Sequence, residues 1–238
     1  MMTERKLAIE VCANGLDSAR NAQRAGADRV ELCDFLEAGG ITPTSDVISI
    51  VKERLVIPVH VLIRPRPGNF VYSNAEFRKM QKEIEVCLKL KVEGIVFGIL
   101  TTEGTLDIDR CTSLAKMVKP LSITFHRAFD KVKEPENALE EIIAMGFDLI
   151  LTSGQKENCS EGSELISQLI KQADGRISIM PGAGITEDNI GEVVKRTGAS
   201  EFHFSAKTKL PDGRFVSDQN RIKTIKEIAE KTFYERAV

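Results

Sequence analysis

The residues of this chain that could take part in chemistry lie on short apolar segments, two positions apart. Glu10 and Cys12 share the first of these segments, and Glu31 and Cys33 share the second. Side chains two positions apart on a strand point to the same side of the sheet. The same phase relates His60 to Arg64, Thr124 to His126, and His203 to Ser205. Carboxylates, imidazoles and thiols gathered on one face predict a site for metal binding or proton transfer.

The elements that must position these residues form a repeating pattern of strand and helix. The predicted strands are Leu7–Cys12, Arg29–Cys33, Val59–Arg64, Gly94–Ile99, Ser122–His126, Leu149–Thr152, Arg176–Met180 and Glu201–Ser205. The predicted helices are Leu16–Ala25, Asp46–Leu55, Ala75–Leu90, Ile108–Val118, Pro135–Met145, Ser163–Ala173, Glu187–Thr197 and Gln219–Phe233. This spacing is what one strand, one crossover helix and two short loops require. The pattern predicts an α/β fold, a single (β/α)8 TIM barrel with a parallel eight-stranded sheet.

An open, doubly wound sheet is the competing architecture. It usually carries a glycine-rich fingerprint after the first strand, where this chain has Cys12-Ala13-Asn14-Gly15. No linker, low-complexity segment or shift in composition divides the chain. We therefore predict one TIM-barrel domain over residues 1–238.

The composition excludes several classes of partner. Lys and Arg number 33 against 35 Asp and Glu, a net charge of −2, so no basic surface for nucleic acid or an anionic membrane is predicted. No apolar run approaches the roughly 18 residues that span a bilayer. The start of the chain, Met1 to Lys6, does not resemble a signal peptide. Five cysteines without a CxxC pair favour a reducing cytoplasm over a disulfide scaffold.

Active sites of TIM barrels form at the carboxyl ends of the strands, and polar residues of this chain cluster there. The candidate catalytic residues are Glu10, Glu31, His60, Arg64, His126, Arg127 and His203. A histidine would serve as general acid or base, with a glutamate to orient it or to act as base. Two structural alternatives remain open. The histidines could be satisfied core residues, or Arg64 could pair with Glu10 and Glu31.

A loop of small residues follows the seventh predicted strand. Many TIM barrels grip a phosphate with the loops after strands seven and eight, because glycine lets backbone N–H groups approach an anion. The candidate anion-binding residues are Arg66, Gly182, Ala183, Gly184, Ser205 and Ala206. Arg66 could clamp an anion together with Arg64, or only pair with surface carboxylates. One functional hypothesis is therefore an enzyme that acts on a small phosphorylated or other anionic metabolite by general acid/base chemistry.

Seven ordered motifs of the chain resemble those of the CutC family, which is named for copper homeostasis. They are the segments 10–14, 26–33, 39–43, 58–66, 125–130, 151–155 and 201–205. The resemblance covers about residues 7 to 206. It departs at Pro181-Gly182-Ala183-Gly184, where the family more often has Pro-Gly-Gly-Gly or Pro-Gly-Ser-Gly.

The resemblance to the CutC family implies a (β/α)8 barrel, a cytoplasmic location and a homo-oligomer, a dimer or a tetramer. It also implies Cu(I) binding and a part in copper handling, with Cys12 and Cys33 as the metal ligands. Soft thiolates suit Cu(I), although two cysteines could also just fill the barrel mouth. In the enzyme hypothesis, a divalent-metal variant would use Glu31 and a histidine as ligands. Copper homeostasis is thus the predicted function, and the enzyme with a small anionic ligand is the alternative.

Overall fold

The computed structural model describes residues 6–236, so the residues before Lys6, for which the sequence predicts no signal peptide, lie outside the described part. Within it, eight parallel strands form the main sheet: β1 (Ala8–Ala13), β2 (Arg29–Leu32), β3 (Val59–Leu62), β4 (Gly94–Phe97), β5 (Ser122–Phe125), β6 (Leu149–Thr152), β7 (Ser178–Pro181) and β8 (Glu201–Phe204). The helices of the same range are α1 (Leu16–Arg24), α2 (Ser45–Arg54), α3 (Asn74–Lys89), α4 (Ile108–Val118), α5 (Pro135–Ala144), α6 (Ser163–Ala173), α7 (Ile190–Thr197) and α8 (Gln219–Glu235).

The strands pair in the order β7-β6-β5-β4-β3-β2-β1-β8, all parallel. A single parallel bridge between Gly182 and His203 brings β7 beside β8, so the sheet is a nearly closed barrel. Each strand is followed by a helix that returns the chain to the next strand, as parallel pairing requires. The predicted TIM barrel is confirmed.

The main hydrophobic core lies between the barrel and its helices. The outward side chains of the first two strands, Ile9, Val11, Val30 and Leu32, are fully buried there. Because successive side chains of a strand alternate in direction, the inward face of these same strands carries the polar residues. The barrel therefore has an apolar outer shell and, beside β1, β2 and β8, a polar interior.

Local sequence signals set several helix ends. Ser73 caps α3 by accepting from the Glu76 N–H, and the Glu76 carboxylate accepts from the Ser73 N–H in return. Such a reciprocal cap satisfies two N–H groups that the helix leaves without partners. Asp218 caps α8 by accepting from two backbone N–H groups. These caps explain why the predicted starts of α3 and α8 agree with the observed ones to within one residue.

Two features near the barrel mouth differ from the prediction. Helix α7 begins at Ile190 instead of Glu187, because the Asn189 side chain accepts from the Thr186 N–H and closes a turn before the helix. A two-stranded antiparallel hairpin, β9 (Lys207–Lys209) and β10 (Phe215–Ser217), follows β8 and was not predicted. Its turn contains an Asp-Gly pair, the usual signal for a tight hairpin.

Candidate functional site

The strand register places the polar side chains of the barrel interior next to one another. Cys12 of β1 is level with Glu31 of β2, and Glu31 is level with His60 of β3. On the other side of β1, Glu10 is level with His203 of β8. The shared inward face that the sequence spacing predicts therefore exists, and it brings carboxylates, imidazoles and a thiol into one cluster.

Two thiols meet at the carboxyl ends of β1 and β2. The Sγ atoms of Cys12 and Cys33 are 3.5 Å apart, and Cys12 Sγ lies 3.6 Å from Glu31 Oε1. Both cysteines are buried, with 7% and 1% of their surfaces exposed. Neither forms a disulfide. The two sulfurs are therefore reduced, adjacent and shielded, as a thiolate metal site requires.

A histidine and a carboxylate complete a potential ligand set around Cys12. One ligand atom from each of Cys12, Glu31 and His203 lies within 4.8 Å of the others. This mixed set of sulfur, oxygen and nitrogen is one that Zn²⁺ also accepts. With Cys33 beside it, the set becomes richer in sulfur and so more suited to a soft ion.

A buried charge cluster lies next to these ligands, on the amino-terminal side of the barrel interior. The Arg29 guanidinium donates from Nε to Glu10 Oε2 at 2.5 Å and from Nη1 to Glu201 Oε2 at 2.6 Å. The second oxygen of Glu10 lies 2.7 Å from His203 Nδ1, and His60 Nδ1 lies 3.6 Å from Glu10 Oε2. Glu10 therefore fixes the orientation of the His203 ring through Nδ1, as a carboxylate partner orients a metal-binding histidine.

The structural alternative in which Arg64 pairs with Glu10 and Glu31 is wrong, and Arg29 is the partner of Glu10 instead. Arg29 is directly level with Glu10 in the register, whereas Arg64 follows the end of β3 and reaches the loop after β2 instead. Sequence reasoning missed Arg29 as a partner. The sequence contains a signal for this partner. Arg29 lies two positions before Glu31 on the same strand, so the two side chains share a face.

The protonation of the cluster follows from burial and from its neighbours. Burial alone would raise the pKa of Glu10, but Arg29 and the two histidines outweigh it and hold that pKa well below its usual range. Burial raises the pKa of Glu31 to about 7, with Glu10 adding to the effect. Burial opposes the charge of His203, yet Glu31 and Glu10 raise its pKa above the usual value. Glu10 is accordingly the fixed negative charge of the cluster.

The thiol of Cys12 is held in its protonated form. The hydrogen bond to Cys33 contributes most to raising the pKa of Cys12, and burial and the nearby Glu31 raise it further. A metal ion that binds here must therefore displace the thiol proton.

A cavity of about 510 Å³ opens at the carboxyl end of the barrel. Its walls include Cys12, Glu31 and His203 on one side and Arg64, His126 and Arg127 on another. The loops after β7 and β8 supply Ala183, Gly184, Ser205 and Ala206. The structure thus brings most of the predicted site residues to one cavity.

Arg64 and His126 are neighbours on the wall of this cavity. Arg64 is 6% exposed and donates to the carbonyl oxygens of Ala38, Gly39 and Gly40 from Nη1 and to that of Gly68 from Nη2. His126 Nδ1 accepts from the Ala128 N–H, which places the proton of the neutral ring on Nε2. Burial, with the nearby Arg64 adding to the effect, lowers the pKa of His126 to about 3.

Arg127 lies at the cavity edge, where a buried aspartate holds it. Asp130 accepts from Arg127 Nε at 2.8 Å, from Thr152 Oγ1 at 2.5 Å and from the Ser153 N–H at 2.9 Å. This network joins the loops after β5 and β6. Arg127 is therefore half-exposed at the cavity, and its ion pair with Asp130 holds its guanidinium in place.

Five of the predicted residues lie outside the cavity wall, among them Cys33, which lies behind Cys12. Glu10 and His60 lie in the barrel interior, and Gly182 lies beneath the β7 loop. Arg66 points away: its guanidinium pairs with Glu76 at 2.5 Å and donates to the Val71 carbonyl. Arg66 is not retained in the sites that we propose below.

The fold and the cavity define a TIM-barrel protein with a buried, thiol-containing site at the carboxyl ends of its strands. The sequence profile of the CutC family matches residues 7–208. The copper homeostasis protein cutC homolog of Homo sapiens is 46% identical over 205 residues, which are 86% of this chain and 75% of the human protein. A CutC family protein of Parabacteroides distasonis is 48% identical over 204 residues, covering 85% and 84%. The chain belongs to the CutC family.

Solved structures agree with this assignment. The CutC structure from Streptococcus agalactiae superposes with a TM-score of 0.80 at 34% identity, covering 84% of this chain and 98% of that one. Phosphoribosyl anthranilate isomerase from Thermotoga maritima superposes with a TM-score of 0.62 at 15% identity, covering 94% and 99%, which shows a shared fold alone. The comparisons support the copper homeostasis family and do not favour the enzyme alternative. In the part of the chain from residue 6 to 236, no helix has the length and hydropathy to cross a membrane.

Proposed function

We propose that this protein binds Cu(I) through Cys12 and Cys33 and takes part in copper handling. The observation that carries the proposal is the 3.5 Å contact between the two buried, reduced sulfurs. Metal–thiolate bonds are about 2.3 Å long, so one ion can sit between sulfurs up to about 4.6 Å apart. The names of the curated relatives point to the same metal.

His203 is the third ligand in this proposal. It belongs to the group whose ligand atoms lie within 4.8 Å of one another, and Glu10 fixes its ring through Nδ1. Two thiolates with an imidazole form a soft set that favours Cu(I). Glu31, a hard oxygen donor, would favour Zn²⁺ in the same place.

The proposed cytoplasmic location rests on the redox state that the site needs. Two thiols in contact can bind Cu(I) only while they stay reduced, and a glutathione-rich compartment keeps them so. The five cysteines are all free thiols in the structure.

The test is anaerobic competition for Cu(I) against a chromophoric chelator. We expect the protein to take up about one Cu(I) per chain, because the structure offers one adjacent thiol pair. The double variant Cys12→Ser, Cys33→Ser should lose this uptake. Cys111→Ser is the matched control, since Cys111 is an equally buried thiol that bonds only to the Ile99 carbonyl. Equal Cu(I) affinity in the double variant and the control would contradict the proposal.

A second arm tests the choice of metal. His203→Ala should weaken Cu(I) binding while leaving the thiol pair able to hold the ion. Glu31→Gln should leave Cu(I) binding nearly unchanged and weaken Zn²⁺ binding, because it removes a hard donor. Preferential binding of Zn²⁺ over Cu(I) by the unaltered protein would overturn the assignment of the metal.

A further inference from the structure

The cavity is far larger than a metal ion needs. Its volume of about 510 Å³ lies within the range of sites for small organic molecules, about 300–1,000 Å³. The thiol pair, with Cys33 behind Cys12, occupies one part of the wall only. Metal binding at the thiol pair therefore does not account for the other residues of the wall.

The side chains of the cavity wall carry more positive than negative charge. The side chains lining it include four permanent or near-permanent cations, Arg64, Arg127, Lys207 and Arg221, and one carboxylate, Glu31. Arg127 and Arg221 are paired with Asp130 and Glu187 outside the wall.

Arg64 and Lys207 differ from the other two cations. Across residues 6–236, no carboxylate lies within 4 Å of the charged group of either one. A guanidinium that is 6% exposed and bonded only to carbonyl oxygens is a buried charge without a counter-ion. Buried charges are ordinarily paired or bound to a ligand.

The same side of the cavity holds two buried donors without partners. Arg64 Nε and His126 Nε2 are shielded from solvent and have no acceptor among the described residues. His126 is 4% exposed and lines the cavity, with its Nε2 shielded from solvent. Leaving such a donor unpaired costs free energy that a ligand oxygen would recover.

The opposite side of the cavity presents backbone N–H groups. Those of Gly184, Ile185, Ser205 and Ala206 form no hydrogen bond among the described residues. They come from the loops after β7 and β8, which a single bridge holds side by side. Successive free N–H groups in such loops make a concave anion site.

We propose that this cavity binds a small organic phosphate. Its phosphate group lies against the free N–H groups of the β7 and β8 loops and Lys207, and acceptor oxygens of its organic part lie toward Arg64 and His126. A phosphate has three strong acceptor oxygens, which matches several N–H donors from two loops better than a carboxylate does. The ligand binds beside the thiol pair and does not depend on the proposed copper function.

The experiment measures ligand-dependent thermal stabilisation and calorimetric binding with glycerol phosphate and inorganic phosphate, and with glycerol as the uncharged control. Ser205→Asp places a carboxylate among the N–H groups, and Lys207→Glu reverses the unpaired cation. Each should weaken phosphate binding by about tenfold or more, the size expected for losing one hydrogen bond to a charged group. Lys209→Glu is the matched control on the same hairpin strand, because it is exposed and does not line the cavity.

The outcomes are separable from those of the copper proposal. The double variant Cys12→Ser, Cys33→Ser should keep its phosphate binding while losing Cu(I). We expect both phosphate probes to stabilise the unaltered protein and glycerol to have no effect. No stabilisation by either phosphate, or equal stabilisation of Ser205→Asp, Lys207→Glu and Lys209→Glu, would overturn the proposal. Ser205→Asp and Lys207→Glu act at different positions, so one remains informative if the other fails to fold.

Discussion

Removing the charge of Glu10 should lower the free energy of unfolding by more than the loss of a surface ion pair would. Glu10 is fully buried and accepts from Arg29 and His203 at 2.5 and 2.7 Å. Glu10→Gln keeps the shape of the side chain and leaves the Arg29 guanidinium with Glu201 alone. Breaking a buried ion pair in this way costs about 3–5 kcal/mol. We expect the lower end, because Arg29 keeps one carboxylate partner and is 13% exposed.

The interaction can be isolated by a double-mutant cycle. Arg29→Met should also destabilise, because it leaves Glu10 as a buried carboxylate without its cation. The double variant Glu10→Gln, Arg29→Met should cost less than the sum of the two single changes, by about 1–3 kcal/mol. The assay is urea unfolding at pH 7, followed by circular dichroism.

A surface pair provides the matched control for this cycle. Arg176 pairs with Glu140 through two hydrogen bonds, and both side chains are nearly half exposed. Arg176→Met should therefore leave the free energy of unfolding nearly unchanged. The reasoning is refuted if Glu10→Gln costs below about 1 kcal/mol, or if the two buried changes add without coupling.

Three further predictions concern the interior and the mouth of the same barrel. Gly94→Ala should destabilise the protein by about 1–3 kcal/mol through overpacking, because a Cβ there would lie 2.4 to 2.6 Å from the His60 ring. Thermal unfolding should show that His60→Ala relieves much of this cost in the double variant. Full additivity of the two changes would contradict the explanation by overpacking. His126 stays neutral down to about pH 3 in the folded protein, whereas the unfolded chain protonates it near 6.5. The free energy of unfolding should therefore fall as pH drops from about 6.5 toward 3, and His126→Gln should make that slope shallower by about one proton; equal slopes would count against this account. Cu(I) affinity should rise with pH, since binding displaces the Cys12 thiol proton, and chelator competition between pH 6 and 8 measures it.

The sequence by itself determined the fold and the inward face. Alternating apolar segments and helical patterns at regular spacing predict a parallel sheet with crossover helices. Eight such units, without a glycine-rich fingerprint after the first strand, favour the (β/α)8 barrel over an open sheet. The phase of two fixes which side chains share a face, so Glu10 with Cys12 and Glu31 with Cys33 could be grouped before any coordinates. The family motifs identified the same cysteines.

The tertiary structure alone decided which of these residues touch. Register is a relation between strands that are distant in the chain, and it made Arg29, not Arg64, the partner of Glu10. Loop geometry turned Arg66 toward Glu76 and Arg64 toward carbonyl oxygens. The cavity, its unpaired cations and its free N–H groups arise where loops from several strands meet, and no local pattern encodes such a meeting.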